Sequence, residues 1–213
     1  MRLLALADIH DHFEAVDEIL RKTDAVDVLI LAGDLTTNGT PARVERAIQS
    51  WRPRVTHLFA VAGNMDSPAI DNTLEQLGVS LNGHCHRVDD VAFCGCSAAP
   101  ISIGTPYELP EAELKRRIEL GFQQANGAAR LVFVPHAPPR GALDRTSSGI
   151  SAGSEAVRGF VDRAQPGLVL CGHIHEARGQ AQLGRSLVVN CGPARRGHYV
   201  IADLTDDWKI QMQ

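Results

Sequence analysis

Five short apolar runs recur along the chain, and each hands over to residues that bind metals. LLALA (3–7) is followed by Asp8-Ile9-His10, VLILA (28–32) by Gly33-Asp34, and HLFAVA (57–62) by Gly63-Asn64. LVFV (131–134) is followed by Pro135-His136, and LVLC (168–171) by Gly172-His173-Ile174-His175. Apolar runs this short, bounded by turn formers, read as strands buried on both faces. Between them the apolar positions take helical spacing, which predicts helices over Phe13–Lys22, Pro41–Ser50, Pro68–Leu77, Pro110–Gln124 and Ser154–Ala164. The prolines sit where a first helical turn tolerates them, and Ser154 is suited to an N-cap. From Asp8 to Asp34 to Asn64 the chain advances in steps of βαβ length.

The later chain changes character. The turn pairs Asn82-Gly83 and Leu183-Gly184 lie among short strand-like pieces such as RVDDVAFCG, RGQAQ, SLVVN and HYVIADL, which predicts hairpins. The expectation is a parallel first sheet followed by a more antiparallel second one. No repeat, low-complexity tract or charge run marks a boundary, so residues 1–213 read as one domain.

In open α/β sheets ligands sit outside the carboxyl ends of the strands, so the residues after the five runs should converge. The i, i+2 spacing of Asp8/His10 and His173/His175 puts each pair on one side of an extended backbone. Gly33, Gly63 and Gly172 permit a tight departure from the strand. Asp8, His10, Asp34, Asn64, His136, His173 and His175 together offer two carboxylates, one amide and four imidazoles. That mixed set suits Mn²⁺, Fe²⁺ or Zn²⁺ and is poor for Ca²⁺. Seven ligands are too many for one ion, and a shared carboxylate divides them into the layout of a two-metal hydrolytic site.

Composition narrows the partners. Lys and Arg number 21 against 25 Asp and Glu, a net charge of −4. Neither nucleic acid nor an anionic membrane surface is an expected partner, and no apolar stretch has the length of a membrane span. The segment MRLLALADIHDH meets an acid too early for a secretory signal, and the five cysteines contain no CxxC pair. Both point to a reducing cytoplasm. Nothing in the sequence sets the oligomeric state.

The order DxH, GD, GN, H, GHxH, from Asp8 to His175, resembles the calcineurin-like metallophosphoesterase superfamily. PHAPPRGALD, GSEAVRGFVDRAQPGLVLCGHIHEARG and VVNCGP resemble its small uncapped prokaryotic phosphoesterases. The resemblance implies a four-layer α/β/β/α sandwich of two mixed sheets and a dinuclear centre hydrolysing phosphate esters through a metal-bridging hydroxide. By motif, Asp8, His10 and His175 would hold one ion, Asn64, His136 and His173 the other, and Asp34 would bridge. Asp34, Asn64 and His136 thereby count among the catalytic residues.

One position departs from the pattern. Many members read GNH at the third motif, where the His is thought to protonate the leaving group; here the residue is Met65. A thioether donates no proton, so phosphodiesters or activated esters are the expected substrates, and His12 is the nearest imidazole in sequence for the missing acid. Arg140, in the His136 loop, is a candidate phosphate contact. Arg195-Arg196 reads as solvated charge in a loop able to border the site. A nuclease and a non-catalytic metal-binding scaffold are the competing readings; the net charge weighs against the first and the seven filled ligand positions against the second.

Overall fold

The computed structural model describes residues 1–125, 128–205 and 208–213. Every apolar run forms its strand. The elements are β1 (Arg2–Leu6), α1 (Phe13–Lys22), β2 (Val28–Ala32), α2 (Pro41–Trp51), β3 (His57–Val61), α3 (Pro68–Gln76), β4 (Cys85–Val88), β5 (Val91–Cys96), β6 (Ala99–Pro100), β7 (Glu108–Leu109) and α4 (Glu111–Phe122). They continue with β8 (Arg130–Pro135), α5 (Glu155–Ala164), β9 (Leu168–Cys171), β10 (Gly179–Leu183), β11 (Ser186–Asn190), β12 (Val200–Asp203) and β13 (Lys209–Met212).

Two large mixed sheets result, with strand orders β13-β12-β1-β2-β3 and β10-β11-β9-β8-β5-β4. Strict alternation within each strand explains why both faces are apolar. Leu3, Ala5, Val28, Ile30, Phe59 and Val61 of the first sheet cluster with Val91, Phe93, Val132, Val134, Leu168, Leu170 and Val189 of the second. That cluster is the seam between the sheets. The intervening residues, Leu4, Leu6, Leu29, Leu31, Phe133 and Val169 among them, pack instead with helix residues such as Val16, Ile48, Leu74, Leu114 and Phe160. Helices therefore cover the outer faces, giving the four layers α/β/β/α. Each fully buried Val, Leu or Ile contributes about 1.5–3 kcal/mol relative to exposure, so pleat alternation and layering reinforce each other.

Helix ends follow local chemistry. Ser154 Oγ accepts from Val157 N (3.1 Å) to cap α5, and Ser67 Oγ accepts from Ile70 N (3.3 Å) to cap α3. α4 starts one residue after Pro110 and gives way to a 3-10 turn at Gln123–Ala125.

The second sheet differs from the sequence expectation. β5, β8, β9 and β11 run parallel, with antiparallel strands only at its two edges. α4 lies between β5 and β8, and α5 between β8 and β9; a helical crossover returns the chain parallel to itself. HYVIADL leaves this half altogether, since β12 pairs antiparallel with β1. Nor does Asn82-Gly83 make a hairpin turn: the β4–β5 connection is at Asp89-Asp90, with Asp89 at φ 54°. Asn82 is otherwise engaged, donating from Nδ2 to Asp71 Oδ2 (2.6 Å) and accepting from Ser97 N at Oδ1 (3.2 Å).

Candidate metal centre

β1, β2 and β3 are mutually parallel, as are β8, β9 and β11, and their carboxyl ends meet at one edge of the sandwich. Hydrogen bonds stitch the two sheets together there. His136 Nδ1 donates to Ala32 O (2.9 Å), His173 N to Asp8 Oδ1 (3.0 Å) and Ala194 N to Ala7 O (2.8 Å). All seven residues singled out in the sequence are brought together at this edge.

They do not get there by extended alternation. Asp8 (φ 53°), His10 (φ 50°), Asp34 (φ 50°) and His173 (φ 69°) are all left-handed, a conformation that costs a non-glycine residue about 1–3 kcal/mol and that clusters at functional sites. The backbone kink after each strand aims these side chains. Of the three glycines, only Gly33 has the positive φ (90°). Gly63 is needed for space instead, since a Cβ there would stand 2.0 Å from Asp34 Oδ1.

The donor atoms converge, and at His136 the tautomer is fixed. His136 Nδ1 must carry its proton to donate to the Ala32 carbonyl, so Nε2 presents a lone pair. That lone pair faces only acceptors: Asn64 Oδ1 at 3.0 Å and Asp34 Oδ1 at 3.4 Å. The Asn64 amide is oriented by logic of the same kind. Thr105 Oγ1 donates to the Glu108 carboxylate (2.9 Å) and so can only accept, from Asn64 Nδ2 (3.1 Å). Asn64 Oδ1 therefore points inward, also meeting His173 Nδ1 at 2.7 Å. On the other side His10 Nε2 lies 3.3 Å from His175 Nε2, His175 Nε2 3.7 Å from Asp8 Oδ1, and His10 Nδ1 2.8 Å from Thr37 Oγ1. Asp34 reaches both halves, Oδ1 toward His136 and Oδ2 3.6 Å from His10 Nε2. The lone pairs that meet at His136 Nε2 repel unless a cation lies among them, and the mixed nitrogen and oxygen donor set fits divalent ions.

Electrostatics agrees. Burial holds His10 down to about 4 and His173 down to about 3, keeping both imidazoles in the neutral, ligating form. Asp34 is pushed well above the usual carboxylate range by burial and by the neighbouring charges of Asp8 and Asp66. A buried pair of carboxylates is costly without a counter-cation. Two groups of three bring donor atoms within 4.8 Å of one another: Asp8, His10 and His175, and Asp8, Asp34 and His136.

His12 and Arg140 lie apart from this cluster. The half-exposed His12 ring faces Glu14 Oε1 (3.2 Å) and lines a groove of about 400 Å³ that Arg195 also lines. Arg140 is exposed; its backbone N donates to Ser154 O, and its carbonyl accepts from Arg158 Nη1 (3.0 Å). Met65 serves the site through its backbone, donating its N–H to Asp34 Oδ1 (2.8 Å).

Arg195, read from the sequence as solvated charge in a loop able to border the site, does border it, whereas Asp66 and Asn190 had no separate signal there. Arg195 Nη2 is 3.4 Å from His175 Nδ1. The clue available was that SLVVN is a sixth strand whose carboxyl end leads to Arg195. Asp66, fully buried and pushed up to about 6 by burial, accepts from Leu35 N, Thr36 N and Gly63 N, bracing the Asp34 and Asn64 loops. Asn190 Nδ2 donates to Gly172 O and Ile174 O, bracing the loop of His173 and His175.

Residues 1–177 match the family model for calcineurin-like phosphoesterases. An uncharacterised protein of Methanocaldococcus jannaschii is 24% identical over 91% of this chain and 88% of its own. Among solved structures, the Thermus thermophilus protein TT1561 superposes with a TM-score of 0.78 at 17% identity, covering 100% of this chain and 97% of that one. A dimetal phosphatase from Danio rerio superposes with a TM-score of 0.64 at 13% identity, covering 100% and 95%. Among the described residues, no helix is long and apolar enough to cross a membrane.

Proposed function

The chain belongs to the calcineurin-like phosphoesterase family and is a metal-dependent phosphoesterase, and from that premise we propose that it hydrolyses phosphodiesters or activated phosphate esters. In this reading Asp8, His10 and His175 hold one divalent transition-metal ion, Asn64, His136 and His173 hold the other, and Asp34 serves both. The observation that carries it is the Asp34 carboxylate, with one oxygen toward His10 and the other toward His136. When bound, two such ions (Mn, Fe or Zn) against two carboxylates would leave the site positive, drawing in the phosphoryl group and lowering the pKa of water beside it.

The chain's own residues do the rest. Burial keeps the His10 and His173 imidazoles neutral and ligating at physiological pH. Thr105 and Glu108 fix which end of the Asn64 amide faces inward. Arg195 has no carboxylate within ion-pair distance among the described residues and sits beside His175, which supports a role in binding phosphoryl oxygens. Met65 offers no proton, so departing groups must leave well unaided or be protonated by water or by His12 from its groove. Arg140 remains a candidate contact for the outer part of the substrate. The reading treats residues 1–213 as one domain, supported by a seam that mixes residues from both halves. It places the protein in a reducing, cytoplasmic compartment, supported by five free cysteines. A purely binding scaffold is disfavoured by the seven filled ligand positions.

The test is metal-stripped protein reconstituted with Mn²⁺, Fe²⁺ or Zn²⁺ and assayed on bis(p-nitrophenyl) phosphate and p-nitrophenyl phosphate. The expected result is about two ions per chain by elemental analysis, faster turnover of the diester, and a greater loss for Asp34→Ala than for His175→Ala. A folded protein that takes up no ion refutes it.

A further inference from the structure

The groove beside the metal centre carries a charge imbalance. Its wall includes His12, Glu14, Glu18, Lys22, Arg195 and Arg196, around a volume of about 400 Å³. Both acids already have partners: Lys22 Nζ lies 3.7 Å from Glu18 and His12 Nδ1 lies 3.2 Å from Glu14. The two guanidiniums do not, because no carboxylate lies within 4.0 Å of Arg195 or Arg196 among the described residues. Their backbone is nonetheless held firmly. Ala194 N donates to Ala7 O (2.8 Å), Arg196 N to Pro193 O (2.9 Å) and Gly197 N to Ala194 O (2.8 Å), closing a 3-10 turn pinned to the end of β1. Arg195 links the groove to the metal-ligand cluster, since it lines the groove and its Nη2 lies 3.4 Å from His175 Nδ1.

We propose that this groove is a second anion subsite, in which Arg196 receives a phosphate or comparable anionic group that the substrate carries beyond the phosphoryl group being hydrolysed. The substrate class is then a phosphoester with a second phosphate on a short linker. This inference rests on the phosphoesterase reading. One guanidinium faces the reacting phosphoryl group and its neighbour the remote one, so two adjacent arginines measure the spacing between two anions. Arg is suited to this because its fork binds phosphate oxygens bidentately and stays charged at any working pH.

The experiment compares inhibitors of bis(p-nitrophenyl) phosphate hydrolysis by the metal-loaded full chain, with free metal buffered. Ethyl phosphate is set against a series of α,ω-alkanediol bisphosphates of two to five carbons. The best bisphosphate should inhibit at least about tenfold more tightly, the contribution of one charge-assisted hydrogen bond. Added salt should erode the advantage, since the groove is solvent-accessible. In Arg196→Gln the advantage should vanish while kcat and KM for bis(p-nitrophenyl) phosphate stay at wild-type values. Chelation of the metals acts equally on both proteins, so it cannot imitate that difference. Equal inhibition by ethyl phosphate and every bisphosphate, or an advantage that survives Arg196→Gln, overturns the subsite alone. Absence of any hydrolysis by the reconstituted protein overturns the phosphoesterase reading and this one with it.

Discussion

Replacing Thr105 by Val isolates the hydrogen bond that decides which atom of Asn64 faces the cluster. Thr105 Oγ1 accepts from Asn64 Nδ2 at 3.1 Å and donates to Glu108 at 2.9 Å, and valine keeps the shape while deleting both bonds. A neutral hydrogen bond contributes about 0.5–1.5 kcal/mol net. Freeing the amide to sample its flipped orientation, which turns an NH₂ toward the ion, adds a few tenths more by population statistics. Together these predict about 5- to 20-fold weaker binding of one ion, consistent with the 10–100-fold cost of losing partners that orient metal ligands. The second ion, which the proposed assignment gives to Asp8, His10 and His175, should keep its affinity. The assay is competition against a fluorescent chelator, resolving two dissociation constants, with elemental analysis at limiting metal. Thr105→Ser restores the hydroxyl and should restore wild-type binding. Equal weakening of both ions, no weakening, or a serine variant that behaves like valine would refute the reasoning.

The remaining expectations concern other parts of the molecule. Burial pulls the Glu108 carboxyl upward more than any one contact pulls it down, but the six hydrogen bonds it accepts from Ser102, Ile103, Gly104 and Thr105 together outweigh burial and hold it down at about 2. Its folded pKa is depressed, so its stabilisation is present above about 4.5 and lost as pH falls toward 2; the protection of residues 102–105 against amide exchange, taken relative to the intrinsic rate at each pH, should fall through that window and be low already at neutral pH in Glu108→Gln. Gly33→Ala would place a Cβ 2.3 Å from His136 Nδ1 at φ +90°, and the strain plus loss of the buried His136–Ala32 bond should cost about 3–5 kcal/mol, seen as a melting temperature lower by roughly 10 °C. A wild-type leaving-group series should show rates depending steeply on leaving-group pKa, with Met65→His gaining about tenfold or more on poor leaving groups and little on aryl diesters. A flat series with chemistry rate-limiting would show that a proton donor is already in place, and His12→Gln would then be the variant to measure.

Much of this molecule can be read from local pattern, because the physics involved is local. An apolar run of four to six residues bounded by turn formers makes a buried strand whatever surrounds it, so β2 (Val28–Ala32) and β9 (Leu168–Cys171) coincide with their runs. Helical spacing behind a capping residue does the same for α5 (Glu155–Ala164), which Ser154 caps. The donor types also follow from the sequence, since the residue after each strand is given and parallel strands bring their carboxyl ends to one edge. Other features needed the fold. The parallel run of β5, β8, β9 and β11 depends on which helix crosses where, and HYVIADL joins the far sheet because β1 offers an open edge there. The left-handed backbone at Asp8, His10, Asp34 and His173 is sustained by long-range bonds such as His173 N to Asp8, 165 positions away, and an isolated segment has no means to hold it. Thr105, Glu108, Asp66 and Asn190 look like ordinary polar residues in the chain. Their work is to orient a partner up to 41 positions distant, and such work exists only once two sheets have packed and excluded the water that would otherwise satisfy them.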